Sequence, residues 1–268
     1  LMLSSDRYII TSGCSFTAQA VPENLSWANT LHTIDGIWVN NVAEMAAGNT
    51  LISHNLIWAI EKNKHLNPFV IVMWSNPNRV DLLLDEYLEG VGQGYQNIVE
   101  TDNKWYPEIS KKNNWLKSGG GFGDWKFDND RANKLLDIYM KHFHNEEFQF
   151  MNTLNQIIKV QHYCKLNNIP YVMISWKNIF SDYNRKDGGF NKLDGETYET
   201  GDMLINKFKG CTHLWDMIDW NKWWFYNHYD GYWEWCRDND NDFSDNDHPS
   251  SNASKSFVDN VILKLLND

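Results

Sequence analysis

The sequence predicts an α/β fold, a three-layer α/β/α sandwich in which helices cover both faces of a parallel sheet, with long insertions. Two observations carry this. Short β-rich apolar runs recur at residues 8–11, 38–42, 69–74 and 171–176, and stretches of helical character separate them. The clearest helix spans 146–167, where Phe150, Leu154, Ile157, Ile158 and Cys164 recur at helical spacing before the Ile169-Pro170 break.

The elements follow in order. The first strand runs directly into Gly13-Cys14-Ser15-Phe16-Thr17, a small turn, and a helix is expected over 26–34. The second strand leads to Gly48-Asn49 and a helix over 50–63; the third ends at Trp74-Ser75-Asn76-Pro77. Residues from about 85 to 145 break the alternation, being rich in Gly, Asn, Asp and Trp, with Gly119-Gly120-Gly121 as a flexible point. After the fourth strand a second excursion, from about 181 to 244, is richer still in aromatics and carboxamides. Loops of this length inside a compact domain are usually functional or form small subdomains. Both are read as insertions at the sheet's active edge of one domain spanning 1–268. The last helix is expected over 254–266, with Ser250 and Ser251 as candidate caps.

Composition bounds the function. With 268 residues, 42% of them hydrophobic and 15% aromatic, the chain buries a substantial core. A net charge of −11 argues against a nucleic-acid partner, because no Lys/Arg stripe is available to replace condensed counterions. No apolar run approaches the ~20 residues of a membrane span, and the N-terminus has no secretory pattern, so a soluble protein of unassigned compartment is expected. The chain begins at Leu1, which points to a trimmed or incompletely known N-terminus. Cys14, Cys164, Cys211 and Cys236 show no metal spacing; a Cys211–Cys236 disulfide is open on sequence grounds. The acidic run at 238–247 fails as a calcium loop, with Phe243 where glycine is needed. His142 and His144 lack a third ligand, so no metal and no cofactor is expected.

The residues that carry chemistry lie at strand ends. A serine in a tight turn after a buried strand exposes its hydroxyl at the sheet's carboxyl edge, although Ser15 reads equally as a helix cap. His248 stands in Asp245-Asn246-Asp247-His248-Pro249, immediately before the last helix. A carboxylate three residues earlier, Asp245, has the spacing to orient the imidazole as a triad requires; the bland alternative is a loop histidine in a solvated acidic turn. Gly48 and Asn76 follow the second and third strands, where an amide and a carboxamide could donate to an oxyanion. Each is also an ordinary cap or turn residue.

This order of features resembles the SGNH/GDSL hydrolase superfamily, whose fold is flavodoxin-like. Its blocks are a Gly-Asp-Ser turn, a glycine after strand two, a Gly-x-Asn-Asp after strand three and a late Asp-x-x-His. The resemblance implies Ser15 as nucleophile, His248 as base and Asp245 as its orienting acid. It further implies an oxyanion hole from the Ser15 and Gly48 amides and the Asn76 side chain. Cys14 replaces the usual aspartate before the serine, and the third block lacks its glycine and final aspartate. Gly-Cys-Ser-Phe and Trp-Ser-x-x-Arg, through Arg79, look like divergent, often phage-encoded members, some of them virion components.

The segment around Trp215, Trp220, Trp223, Trp224, Phe225, Tyr226, Tyr229, Tyr232, Trp233 and Trp235 is read two ways. Interleaved with Asn and Asp, these rings suit a sugar face or a protein interface, including a homo-oligomer; equally, they form the core of the insertion. Trp74, Arg79, Trp223, Trp224, Tyr232 and Trp233 are accordingly candidate substrate contacts. The expected activity is a serine esterase acting on an acylated carbohydrate. The rival is a structural or glycan-binding module without turnover, such as a virion component.

Overall fold

The computed structural model describes residues 7–18, 24–83, 115–117, 130–181, 202–240, 242–244 and 248–267. Most of the first insertion and residues 182–201 of the second therefore lie outside the described residues, as does Asp245.

Four strands make the central sheet: β1 (Arg7–Ser12), β2 (Ile37–Asn41), β3 (Phe69–Trp74) and, after two short strands outside it, the strand Tyr171–Ser175. Helix α1 (Trp27–His32) joins β1 to β2, and α2 (Asn49–Asn63) joins β2 to β3. The short strands β4 (Asp81–Leu83) and β5 (Trp115–Lys117) pair antiparallel. Helices α3 (Asp130–His142) and α4 (Glu146–Leu166) follow, then β6 (Tyr171–Ser175).

The sheet order is β2-β1-β3-β6, with every pair parallel. Continuous burial fits this arrangement: every residue of β6 is buried, as is all of β3 after Phe69. Strands covered on both faces read as unbroken apolar runs. The chain steps one way from β1 to β2 and the other way from β2 to β3. Right-handed crossovers therefore put α1 and α2 on opposite faces. Helix α4 joins α2 on its face, and an Asn152 Nδ2 bond to Thr50 Oγ1 at 3.0 Å is part of the polar seam between them.

Local signals set the helix ends. Ser26 caps α1 by accepting from Asn29 N, and Asn145 caps α4 by accepting from Phe148 N at 2.9 Å. Helix α2 begins at Gly48, which has no side chain to cap with. Its amides are served instead from β4, by Asp81.

The second insertion packs inward. Short helices α5 (Leu204–Lys207) and α6 (Thr212–Trp215) lead to an extended stretch in which Trp223 makes a parallel bridge to Met173, with Trp224 N donating to Met173 O at 2.9 Å. The insertion thus covers the free edge of β6. Phe180 is the hub of an aromatic cluster, with Trp215, Trp220, Trp223, Phe225 and Tyr229 at centroid distances of 5.3–6.2 Å. Helix α7 (Tyr232–Asn239) follows, and α8 (Ser251–Phe257) continues through a π-helical turn, Val258–Ile262, to Leu265. Helix α8 lies against α1 and α7. For three of its rings the core reading holds and the binding-face reading is corrected: Tyr232 is 1% exposed, Trp233 8% and Trp223 9%. These rings stabilise the layer, each burying a large apolar area.

All four cysteines are buried free thiols, so Cys211 and Cys236 do not pair. Among the described residues no helix is long and apolar enough to cross a membrane.

Candidate active site

The order 2-1-3 reverses direction at β1, and the carboxyl ends of the strands at such a switch point are where α/β sheets bind their ligands. The turn after β1 lies there. The amides of Thr17 and Ala18 both donate to Cys14 O, at 2.9 and 2.8 Å, which folds residues 14–18 into a tight turn. Only glycine fits at position 13: a Cβ there would stand 2.2 Å from Thr17 Oγ1 and 3.2 Å from Met73 O. Asn41 Nδ2 and Ser26 Oγ both donate to Thr17 O, at 2.9 and 2.7 Å, clamping the turn's far end. Cys14 is fully buried beneath it, whereas Ser15 is half-buried at its crest.

The histidine arrives from the other end of the chain. Residues 242–244 lie against residues 248–250, with a bridge between Phe243 and Pro249 and with Ser250 N donating to Asp242 O at 2.9 Å. The His248 carbonyl accepts from both Ser244 N and Ser244 Oγ, at 2.8 and 3.0 Å. Ser250 then caps α8 by accepting from Ala253 N at 3.2 Å. The outcome is a 2.9 Å hydrogen bond between His248 Nε2 and Ser15 Oγ, across 233 residues of sequence. That distance is within the reach of a nucleophile and its general base. Asp245, expected to orient the imidazole, is outside the described residues.

The oxyanion assignments fare differently. The Gly48 amide donates to Asp81 Oδ1 at 2.8 Å, and Leu51 N donates to Asp81 Oδ2 at 2.9 Å. Its single proton is committed, so the Gly48 assignment is corrected: this amide caps α2 through Asp81. Burial raises the Asp81 carboxyl from the usual 3.8 to about 6, against the opposing pull of the Leu51 and Gly48 amides and of Lys117 and Arg79. Asn76 Oδ1 accepts from Asn78 N at 2.8 Å in a local turn, so its NH2 is the end with protons to give. Arg79 Nη1 donates to Ala47 O at 3.2 Å, bracing the approach to α2. Trp74 is 0% exposed, which removes it from the substrate contacts. Trp224 is partly buried and packs on Phe257 at 5.2 Å, also within the scaffold.

Sequence reasoning missed three features. Phe16, next to the serine, stacks on the His248 ring with centroids 4.4 Å apart and planes at 22°. Trp176 backs Phe16 at 4.7 Å. Asp81 had no local signal, since its partner Gly48 is 33 residues away; Phe16 could have been noted from its adjacency to Ser15.

Among the described residues no group of three or more His, Cys, Asp or Glu side chains could hold a metal. No protein-family model matches the chain, and no curated protein matches it.

Proposed function

We propose that the chain is a serine ester hydrolase of the SGNH type, working through Ser15 and His248. The supporting observation is the 2.9 Å contact between Ser15 Oγ and His248 Nε2 at the switch point of the sheet. In this reading Ser15 Oγ attacks the ester carbonyl carbon while its proton passes to Nε2, and the carbonyl π pair moves onto oxygen. Collapse breaks the bond to the alcohol, which leaves with the proton from His248. Water then repeats the sequence on the acyl-enzyme. Asp245 takes the orienting role by its position in the sequence.

The tetrahedral oxyanion would draw on the Ser15 amide and the Asn76 NH2, each such donor lowering the barrier by ~2.7–4 kcal/mol. The substrate class proposed is a carboxylic ester. An acylated carbohydrate falls within it, but the enclosed rings of Trp223, Tyr232 and Trp233 no longer argue for a sugar.

One observation favours a second reading, a non-catalytic SGNH-fold module such as a virion component. A carboxylate is bonded to the Gly48 amide where a second oxyanion donor was expected, and negative charge there opposes a developing oxyanion.

A fluorophosphonate probe separates the two. The folded protein should be labelled on Ser15, and Ser15→Ala should abolish the label. An unlabelled wild-type protein with an intact unfolding transition sinks the hydrolase reading and leaves the second.

A further inference from the structure

We propose that Phe16 is a positioning residue of the His248 imidazole, setting the plane of its ring, an inference that rests on Ser15 and His248 acting as nucleophile and base. The hydrogen bond between Ser15 Oγ and Nε2 fixes a distance between the two side chains. The aromatic face of Phe16, 4.4 Å away and 22° from parallel, fixes the ring plane. Because Phe16 adjoins Ser15 in one tight turn, the same backbone sets the position of the hydroxyl and the orientation of its base.

The support is not free to shift. Phe16 is 7% exposed, and Trp176 packs on it at 4.7 Å. The main chain of Trp176 is held on both sides: its amide donates to Trp74 O at 3.1 Å, and its carbonyl accepts from Trp233 N at 2.8 Å. Trp233 in turn contacts Phe243 of the histidine loop at 5.5 Å. The ring stack is therefore tied to β3, to the end of β6 and to the loop that carries His248. The Phe16 face also attracts an imidazolium more than a neutral imidazole. It thus favours the state that exists after the serine proton has moved.

The test compares Phe16→Leu and Phe16→Tyr by NMR of the imidazole C–H groups and by hydrolysis of a short-chain nitrophenyl ester. His248→Gln identifies the His248 signals. In the wild type those signals should be displaced upfield by the Phe16 ring current; Phe16→Leu should abolish the displacement and Phe16→Tyr preserve it. With leucine, kcat should fall about 10- to 100-fold with KM within about twofold, and tyrosine should restore it. His248 signals that are the same in wild type and Phe16→Leu overturn the proposal, as does an equal kcat loss in both variants. Should the wild type hydrolyse no ester, the hydrolase reading fails and the NMR comparison alone decides the positioning role. If Phe16→Leu does not fold, Phe16→Met makes the same comparison.

Discussion

Asp81 should invert the usual response of a protein to mild acid. Its carboxyl is raised from 3.8 to about 6 because burial disfavours the charge more than the Gly48 and Leu51 amides favour it. A raised folded-state value means that the folded protein holds a proton the unfolded chain has released. The stability from this group is fully present below about 3.8 and is lost as pH rises through about 6. A shift of about 2 units corresponds to ~3 kcal/mol. Asp230 and Glu234 are also raised by burial and act in the same direction. His144, lowered by burial, acts oppositely: its contribution is lost as pH falls through its lowered value. A wild-type profile alone therefore mixes several groups, and Asp81→Asn isolates one. The amide cannot ionise, but its single acceptor oxygen serves only one of the two α2 amides, a loss of ~1 kcal/mol. Asp81→Asn should therefore be more stable than wild type by ~2 kcal/mol at pH 7.5, about equal to it near pH 4.5 and less stable by ~1 kcal/mol near pH 3. Urea midpoints at several pH values measure this directly. A difference that keeps one sign and size across the range would falsify the argument. It would mean that the helix N-terminus holds the ionised carboxylate without penalty, as it does at an ordinary exposed cap.

Two further substitutions test the packing around the site. A Cβ at Gly231 would lie 2.3 Å from Ser175 O and 2.8 Å from Lys177 N; these are backbone atoms and cannot rotate away. Gly231→Ala should cost at least ~2 kcal/mol and lower Tm by roughly 4–8 °C, and an unchanged Tm in calorimetry would contradict the close approach. The Tyr232 hydroxyl and Ser254 Oγ share a buried hydrogen bond of 2.9 Å. Tyr232→Phe strands the serine and should lower the stability measured in urea by ~1–2 kcal/mol; adding Ser254→Ala should recover part of it, because the stranded hydroxyl is then removed.

Most of the sheet was legible because β3 and β6 are buried on both faces, so their apolar runs needed no context. The expected third strand, 69–74, matches β3 residue for residue, and the helix expected over 146–167 matches α4 to within one residue. Helix α3 was not expected. Leu135, Leu136, Ile138 and Tyr139 are helix-spaced, but they lie at the end of a Gly- and Asn-rich stretch, and only Ala132 is buried. Ser15 and His248 could be read because each sits beside an element boundary with its own signal. The burial of Trp223, Tyr232 and Trp233 could not be read, because the same aromatic segment would serve equally as a surface or a core. What decides is the open edge of β6, which the sequence does not reveal as unpartnered.

That edge also explains why so aromatic a segment belongs beside this pair of residues. An edge strand left open invites pairing with another chain, and the bridge from Trp223 to Met173 closes it. The same segment continues into Gly231 and α7, where Glu234 accepts from Gly231 N at 2.9 Å and Asn178 N at 3.2 Å. Lys177 Nζ lies 4.5 Å from the Trp233 ring on that side. The loop after β6 is thus fixed by a buried carboxylate and a ring, and Trp176 emerges from it against Phe16. Covering the sheet edge and holding the histidine are two consequences of one packing arrangement. A cavity at Trp233 should therefore loosen the Ser15–His248 contact. In the hydrolase reading, this makes the segment from Trp223 to Trp233 part of the catalytic scaffold.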